Sequence, residues 1–171
     1  MRPPAGGADR PACRTRADMM ERDKEQPDPE PSVSELREEH ASLEERLARL
    51  EQGLLAVGEE GTSEDLAEML ADLGVFLERH FAMEERSPLY EQLPLHEPRF
   101  ADRLGRLRAE HEVLQEEVRS LVAAARAADF GPIDTHFADR MRALARRIRA
   151  HEHAETEIVQ QAWLEDHGEA D

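Results

Sequence analysis

The apolar residues of this chain recur at intervals of three and four positions in four separate stretches. This spacing puts side chains on one face of an α-helix, and no stretch alternates at the two-residue period of a strand. The stretches predict amphipathic helices over about residues 33–57, 63–86, 98–127 and 133–164. Because short connections favour antiparallel neighbours, the predicted fold is an all-α, up-down-up-down four-helix bundle.

Capping residues and helix breakers mark the ends of these stretches. Ser32 and Glu35 have the spacing of a capping box and open the first helix. Three prolines between residues 88 and 98 interrupt the connection from the second helix to the third, because proline cannot continue a helix interior. Gly131-Pro132 separates the third helix from the fourth.

The chain divides into one domain and two tails. Residues 1–31 hold six of the ten prolines and almost no apolar residues, which predicts a disordered N-terminal tail. Met19 or Met20 could equally be the natural start of the protein. The bundle is expected over residues 32–165, and residues 166–171 are expected to be a frayed C-terminal tail.

The overall charge narrows the possible partners. With 22 Lys and Arg against 39 Asp and Glu, the net charge of −17 argues against nucleic acid and against an anionic membrane surface. No apolar run reaches the length of a membrane span. The single cysteine, Cys13, excludes an internal disulfide framework, so a cytoplasmic protein is expected. The exposed faces show no clear apolar patch, which favours a monomer or a weak oligomer.

Each of the four apolar stripes is interrupted by a histidine, and two stripes also carry a glutamate one turn later. A single core histidine is more often a hydrogen-bonded core residue than a metal ligand. One histidine on every helix, with two glutamates in register, instead indicates a metal site in the bundle core. The candidate ligands are His40, His80, Glu84, His111, His151 and Glu155.

The donor atoms of this set suit iron, manganese or zinc, and no thiolate is present to favour a softer metal. Six groups are too many for one tetrahedral zinc. Two metals, each with two histidines and both sharing Glu84 and Glu155, would use every group. The carboxylate-rich bundles with a Glu-x-x-His motif are a different design, because here the positions three residues before the histidines are Arg37, Leu77, Arg108 and Ile148.

The residues around the candidate ligands resemble a known family, the hemerythrin-like or HHE cation-binding domain. The resemblance covers about residues 33–164. It implies a non-haem centre of two iron ions with an oxo or hydroxo bridge, and a small diatomic or peroxide ligand; manganese and zinc stay open. The matching pieces are Glu38-Glu39-His40, His80-Phe81-Ala82-Met83-Glu84-Glu85 with Leu89-Tyr90, Glu110-His111, and His151-Glu152-His153-Ala154-Glu155.

Two positions depart from the oxygen-carrying members of that family. Those members have a second histidine one turn after the third-helix ligand, where this chain has Gln115, and their last carboxylate commonly lies one residue later, at the position of Thr156. A missing imidazole would leave a coordination position open for water, peroxide or nitric oxide, unless Gln115 or a nearby glutamate fills it. This favours sensing, peroxide or nitric-oxide chemistry, or iron handling over reversible oxygen carriage. The redox partner is unknown, and a metal-free acidic helical interaction module is the alternative.

Several residues near the ligands have secondary roles in this interpretation. Glu85 and Glu110 lie beside ligands and could accept a histidine N–H from outside the metal site. Tyr90 is expected to pack at the end of the bundle. The third and fourth helices are expected to overhang the first two, since their histidines lie further from the helix ends. His96, His153 and His167 are expected at the surface. His136 adjoins the apolar stripe at Phe137 and is not expected to take part in the site.

Overall fold

The computed structural model describes residues 33–56, 63–128 and 133–166. These residues form helices and no strand, so the predicted all-α bundle is confirmed. The long helices are α1 (Val33–Ala56), α2 (Ser63–Glu85), α5 (Ala101–Ala127) and α6 (Thr135–Asp166). The connection from α2 to α5 contains α3 (Pro88–Glu91), α4 (Leu93–His96) and a 3-10 turn (Pro98–Phe100).

Some of the sequence predictions concern residues that the structure does not describe. The predicted tail over 1–31, Ser32 of the capping box and the Gly131-Pro132 break lie outside the described residues, as do residues 167–171. Across the part of the chain that is described, no helix has an apolar stretch that could cross a membrane.

The main core lies between the four long helices. Its side chains come from the predicted stripes, because positions three and four apart share a helix face. Around the bundle, α2 packs most extensively against α5, and α1 and α6 form the least closely packed neighbouring pair. Asp134 accepts a hydrogen bond from the backbone N–H of Phe137 at 2.7 Å, which fixes the start of α6. Fully buried members of the core include Leu70, Leu73, Leu77, Leu114 and Ile148.

A second, smaller core lies beyond the level of the histidines. The connection between α2 and α5 folds against the protruding parts of α5 and α6 there. α5 begins at Ala101 and not at residue 98, so part of the predicted overhang belongs to the connection. The rest is a real overhang, and the connection covers it. The buried residues of this cluster are Tyr90, Phe100, Leu104, Leu107 and Ile158.

Gly105 offers a simple test of the α5 assignment. A Cβ added at this position would meet nothing within 4 Å, and glycine in a helix interior is less favourable than alanine. Gly105→Ala should therefore raise the free energy of unfolding by about 0.5–1 kcal/mol, measured by urea denaturation.

Gly74→Ala is the comparison. Its Cβ would lie 3.2 Å from Val118 Cγ1 in the closely packed α2–α5 interface, so its gain should be smaller or negative. A loss of stability in Gly105→Ala would contradict the exposed helical position of Gly105.

Candidate metal centre

Two groups of buried or half-buried side chains in the bundle core could each hold a metal ion. Within each group, one donor atom from every residue lies within 4.8 Å of the others. Both groups contain Glu84. The first group is His40, His80, Glu84 and Glu152, and the second is Glu84, His111, His151 and Glu155.

The first group joins α1, α2 and α6. His80 Nε2 lies 2.9 Å from Glu84 Oε1, one helical turn away, and 3.3 Å from Glu152 Oε1. His40 Nε2 lies 3.2 Å from Glu152 Oε2 and 3.6 Å from Glu84 Oε1. Two imidazole nitrogens and two carboxylates thus converge on one place.

The second group joins α2, α5 and α6, and its two histidines face each other with Nε2 atoms 3.0 Å apart. His111 Nδ1 donates to Glu85 Oε1 at 2.8 Å, and His151 Nδ1 lies 3.4 Å from Glu110 Oε2. A carboxylate only accepts, so each Nδ1 carries a proton toward its glutamate. The two Nε2 atoms can then share one further proton between them or bind a cation in its place.

Glu84 lies between the two groups and presents one oxygen to each. Oε1 is the atom nearest His40 and His80, whereas Oε2 lies 3.7 Å from His111 Nε2. The side chain is only 3% exposed, yet neither oxygen has a hydrogen bond of acceptable geometry. Glu152 Oε2 and His80 Nδ1 are likewise buried without one. Buried carboxylate oxygens without hydrogen bonds are costly unless positive charge lies next to them, so this donor set fits cations.

A family model for the hemerythrin HHE cation-binding domain matches residues 32–163. The chain belongs to this family. Membership implies cation binding, for which the two groups supply possible ligands. No curated protein and no solved structure gives a significant match to the chain.

In this hemerythrin-like chain, the six candidate ligands from the sequence all lie in the two groups, although their binding of metal stays a prediction. Two details differ from the expected arrangement. The groups share Glu84 alone, and Glu155 belongs only to the second group. Glu152, which sequence reasoning missed, takes the matching place in the first group. The sequence does contain an indication of this position: Ala145, Ile148 and Glu152 are three and four residues apart and therefore share a helix face. In the structure Ala145 and Ile148 on this face are buried.

Tyr90 contacts the candidate metal site in addition to packing at the end of the bundle. It does pack in the smaller core, but its hydroxyl also donates a hydrogen bond to Glu155 Oε1. The helical turn at Pro88–Glu91 folds back over the bundle end and carries Tyr90 to this position. The expectations for Glu85 and Glu110 agree with their contacts to His111 and His151. Among the other histidines of the described residues, His96 and His153 are exposed, as expected, and His136 is exposed as well.

The close packing of acids and imidazoles shifts their pKa values. Burial, the largest influence, lowers the pKa of His80, but its contacts with Glu152 and Glu84 outweigh burial and raise the value to about 10. Burial also raises the pKa of Glu84, but His40 and His80 together hold it below its usual range. Burial raises the pKa of Glu155 to about 7. The metal-free centre therefore balances its charges with protons, which a cation must displace.

These shifts predict how the stability of the metal-free protein depends on pH. Native His80 keeps a proton up to a pKa of about 10, whereas an unfolded histidine loses it near 6.5. The contribution of this proton to the free energy of unfolding is complete below pH 6.5 and is lost as the pH rises through 10. The free energy of unfolding of chelator-treated protein should fall by about 1 kcal/mol per pH unit between pH 7 and 9 in urea titrations.

Two variants isolate the contribution of His80. His80→Gln should flatten this pH dependence, whereas His153→Gln, at a side chain 75% exposed, should preserve it. An unchanged slope in His80→Gln would show that another group carries the proton.

Proposed function

We propose that this protein binds two non-haem iron ions, one in each group, and uses them to handle or sense oxygen, peroxide or nitric oxide, or to handle iron itself. The observation that carries the proposal is the position of Glu84, whose two oxygens face different groups. A carboxylate in this position can bridge two cations and offset part of their charge. Manganese and zinc have compatible ligand preferences and are outcomes of the metal analysis.

The surrounding residues support metal binding by holding the ligands in place. Glu85 and Glu110 fix the protonated Nδ1 atoms of His111 and His151, which leaves both Nε2 atoms free to bind. Phe81 stacks on His111 with ring centroids 4.1 Å apart, and Phe76 stacks on His80 at 5.5 Å. These contacts restrict the rotation of the rings and exclude water from one side of each.

Reaction with a small ligand is favoured over reversible oxygen carriage by the number of imidazoles. The two groups contain two histidines each, and Gln115 stands where oxygen carriers of the family have a fifth histidine. Bound iron would supply the redox chemistry, and an incompletely filled coordination shell would leave room for a small ligand. A reducing cytoplasm remains the expected compartment, on the basis of the single cysteine.

Metal content provides the first test. Purified protein loaded anaerobically with ferrous iron should hold about two ions per chain, as the two donor groups require. Glu84→Gln should weaken both sites, whereas His40→Ala should weaken one and leave the other filled. Each loss should exceed the roughly 10–100-fold typical of removing an outer hydrogen-bond partner.

His153→Ala is the matched control, because it removes an exposed histidine two residues from His151. It should bind two ions with normal affinity. Protein that binds no metal and stays folded with both His80 and His151 replaced by leucine would instead support the metal-free interaction module.

Reactivity is tested separately with the reduced, loaded protein. Mixing with oxygen, peroxide or nitric oxide in a stopped-flow spectrometer should produce oxidation or a ligand-specific absorption change. Oxygen binding that is stable and fully reversed by degassing would contradict the preference for reactivity. It would indicate that four histidines suffice for carriage in this chain.

A further inference from the structure

A solvent-open cleft between α1 and α6 leads to the first group of the candidate metal centre. Its volume is about 170 Å³, enough for roughly five water molecules. It lies along the least closely packed pair of neighbouring long helices. The residues that line it are His40, Leu43, Glu44, Leu47, Arg149 and Glu152.

Only this side of the centre is open among the described residues. The side chain of His40 is 39% exposed and that of Glu152 is 16% exposed, whereas the other five candidate ligands are almost fully buried. Tyr90 covers the second group by bonding to Glu155 and lying edge-on to His111 at 5.7 Å. The smaller core behind Tyr90 closes that end of the bundle.

The mouth of the cleft holds one positive charge between two negative ones. Arg149 Nη2 lies 2.8 Å from Glu44 Oε1, and Arg149 Nη1 lies 2.7 Å from Glu51 Oε1. These ion pairs join α6 to α1 across the cleft. Glu152 adds a carboxylate deeper in the cleft, next to His40. The carboxylates that line the cleft therefore outnumber its one guanidinium group.

We propose that this cleft is the route by which divalent cations reach and leave the metal centre, with Glu44 and Glu152 attracting the ion and Arg149 slowing it. The inference rests on the proposed function, because it requires metal at the first group. An ion would pass Glu44 at the rim, then Glu152, and then bind His40 and His80. Carboxylates along a narrow opening raise the local cation concentration and therefore the association rate.

Charge-changing variants at the mouth test the route. Metal-free protein is mixed with Co²⁺ at low ionic strength, and binding is followed by its visible absorption. Arg149→Gln removes a repelling charge and should speed uptake about two- to five-fold, whereas Glu44→Gln removes an attracting charge and should slow it by a similar factor. The double variant should resemble the wild type. All differences should shrink in 0.5 M salt, where charges are screened.

The other end of the bundle supplies matched controls. Arg103 is as exposed as Arg149, at 34%, and also pairs across two helices, with Gln161 and Glu157. Arg103→Gln and Glu157→Gln change the net charge equally but lie away from the cleft, so they should load at the wild-type rate. Thermal melts of every variant establish that each is folded.

The outcomes separate this inference from the proposed function. Opposite rate changes in Arg149→Gln and Glu44→Gln, with unchanged metal content, support the route. Wild-type rates in both would contradict it, and so would changes in the same direction, which would reflect loosened packing of α1 against α6. Wild-type protein that takes up no Co²⁺, ferrous iron or zinc at equilibrium would contradict the proposed function itself.

Discussion

Glu84 is a carboxylate buried in the middle of the bundle with no hydrogen bond to either oxygen, and the centre is built around this constraint. Removing such a charge from water is expensive unless an opposite charge lies next to it. Glu152 and Glu155 add two more carboxylates, so the core must hold either protons or cations. The contacts that raise the pKa of His80 allow protons to balance this charge when metal is absent, and bound cations would replace them.

The two groups of the metal centre differ in how completely neighbouring residues cover them. In the second half, Tyr90 bonds to Glu155, and outer carboxylates fix both histidine rings. The first half is covered less completely, because His40 and Glu152 face the cleft between α1 and α6. A shielded half beside an accessible half is a useful arrangement for a reactive centre, since one side can hold its ligands rigidly while the other exchanges ions or small molecules.

The helices and the histidines could be predicted from the sequence because both follow helical periodicity. Glu152 could not be found from the histidine stripe alone, because a buried helix face is wide enough for a second row of positions beside it. The contact of Tyr90 could not be predicted in the same way. It depends on the path of a proline-interrupted connection, which has no period, and on where α5 begins. Periodicity shows which face a residue occupies but not how a connection folds over it.

The helices that supply the residues of the two groups also differ in how closely they pack. The second group takes its residues from α2, α5 and α6, and these three helices include the most closely packed pair of the bundle. α1 supplies one residue, His40, and meets α6 where packing is least close. Glu84 belongs to both groups, so the closely packed helices hold the carboxylate that the two groups share, and α1 adds only an imidazole. Access to the first group therefore depends on how closely α1 packs against α6, whereas the second group takes no residue from α1.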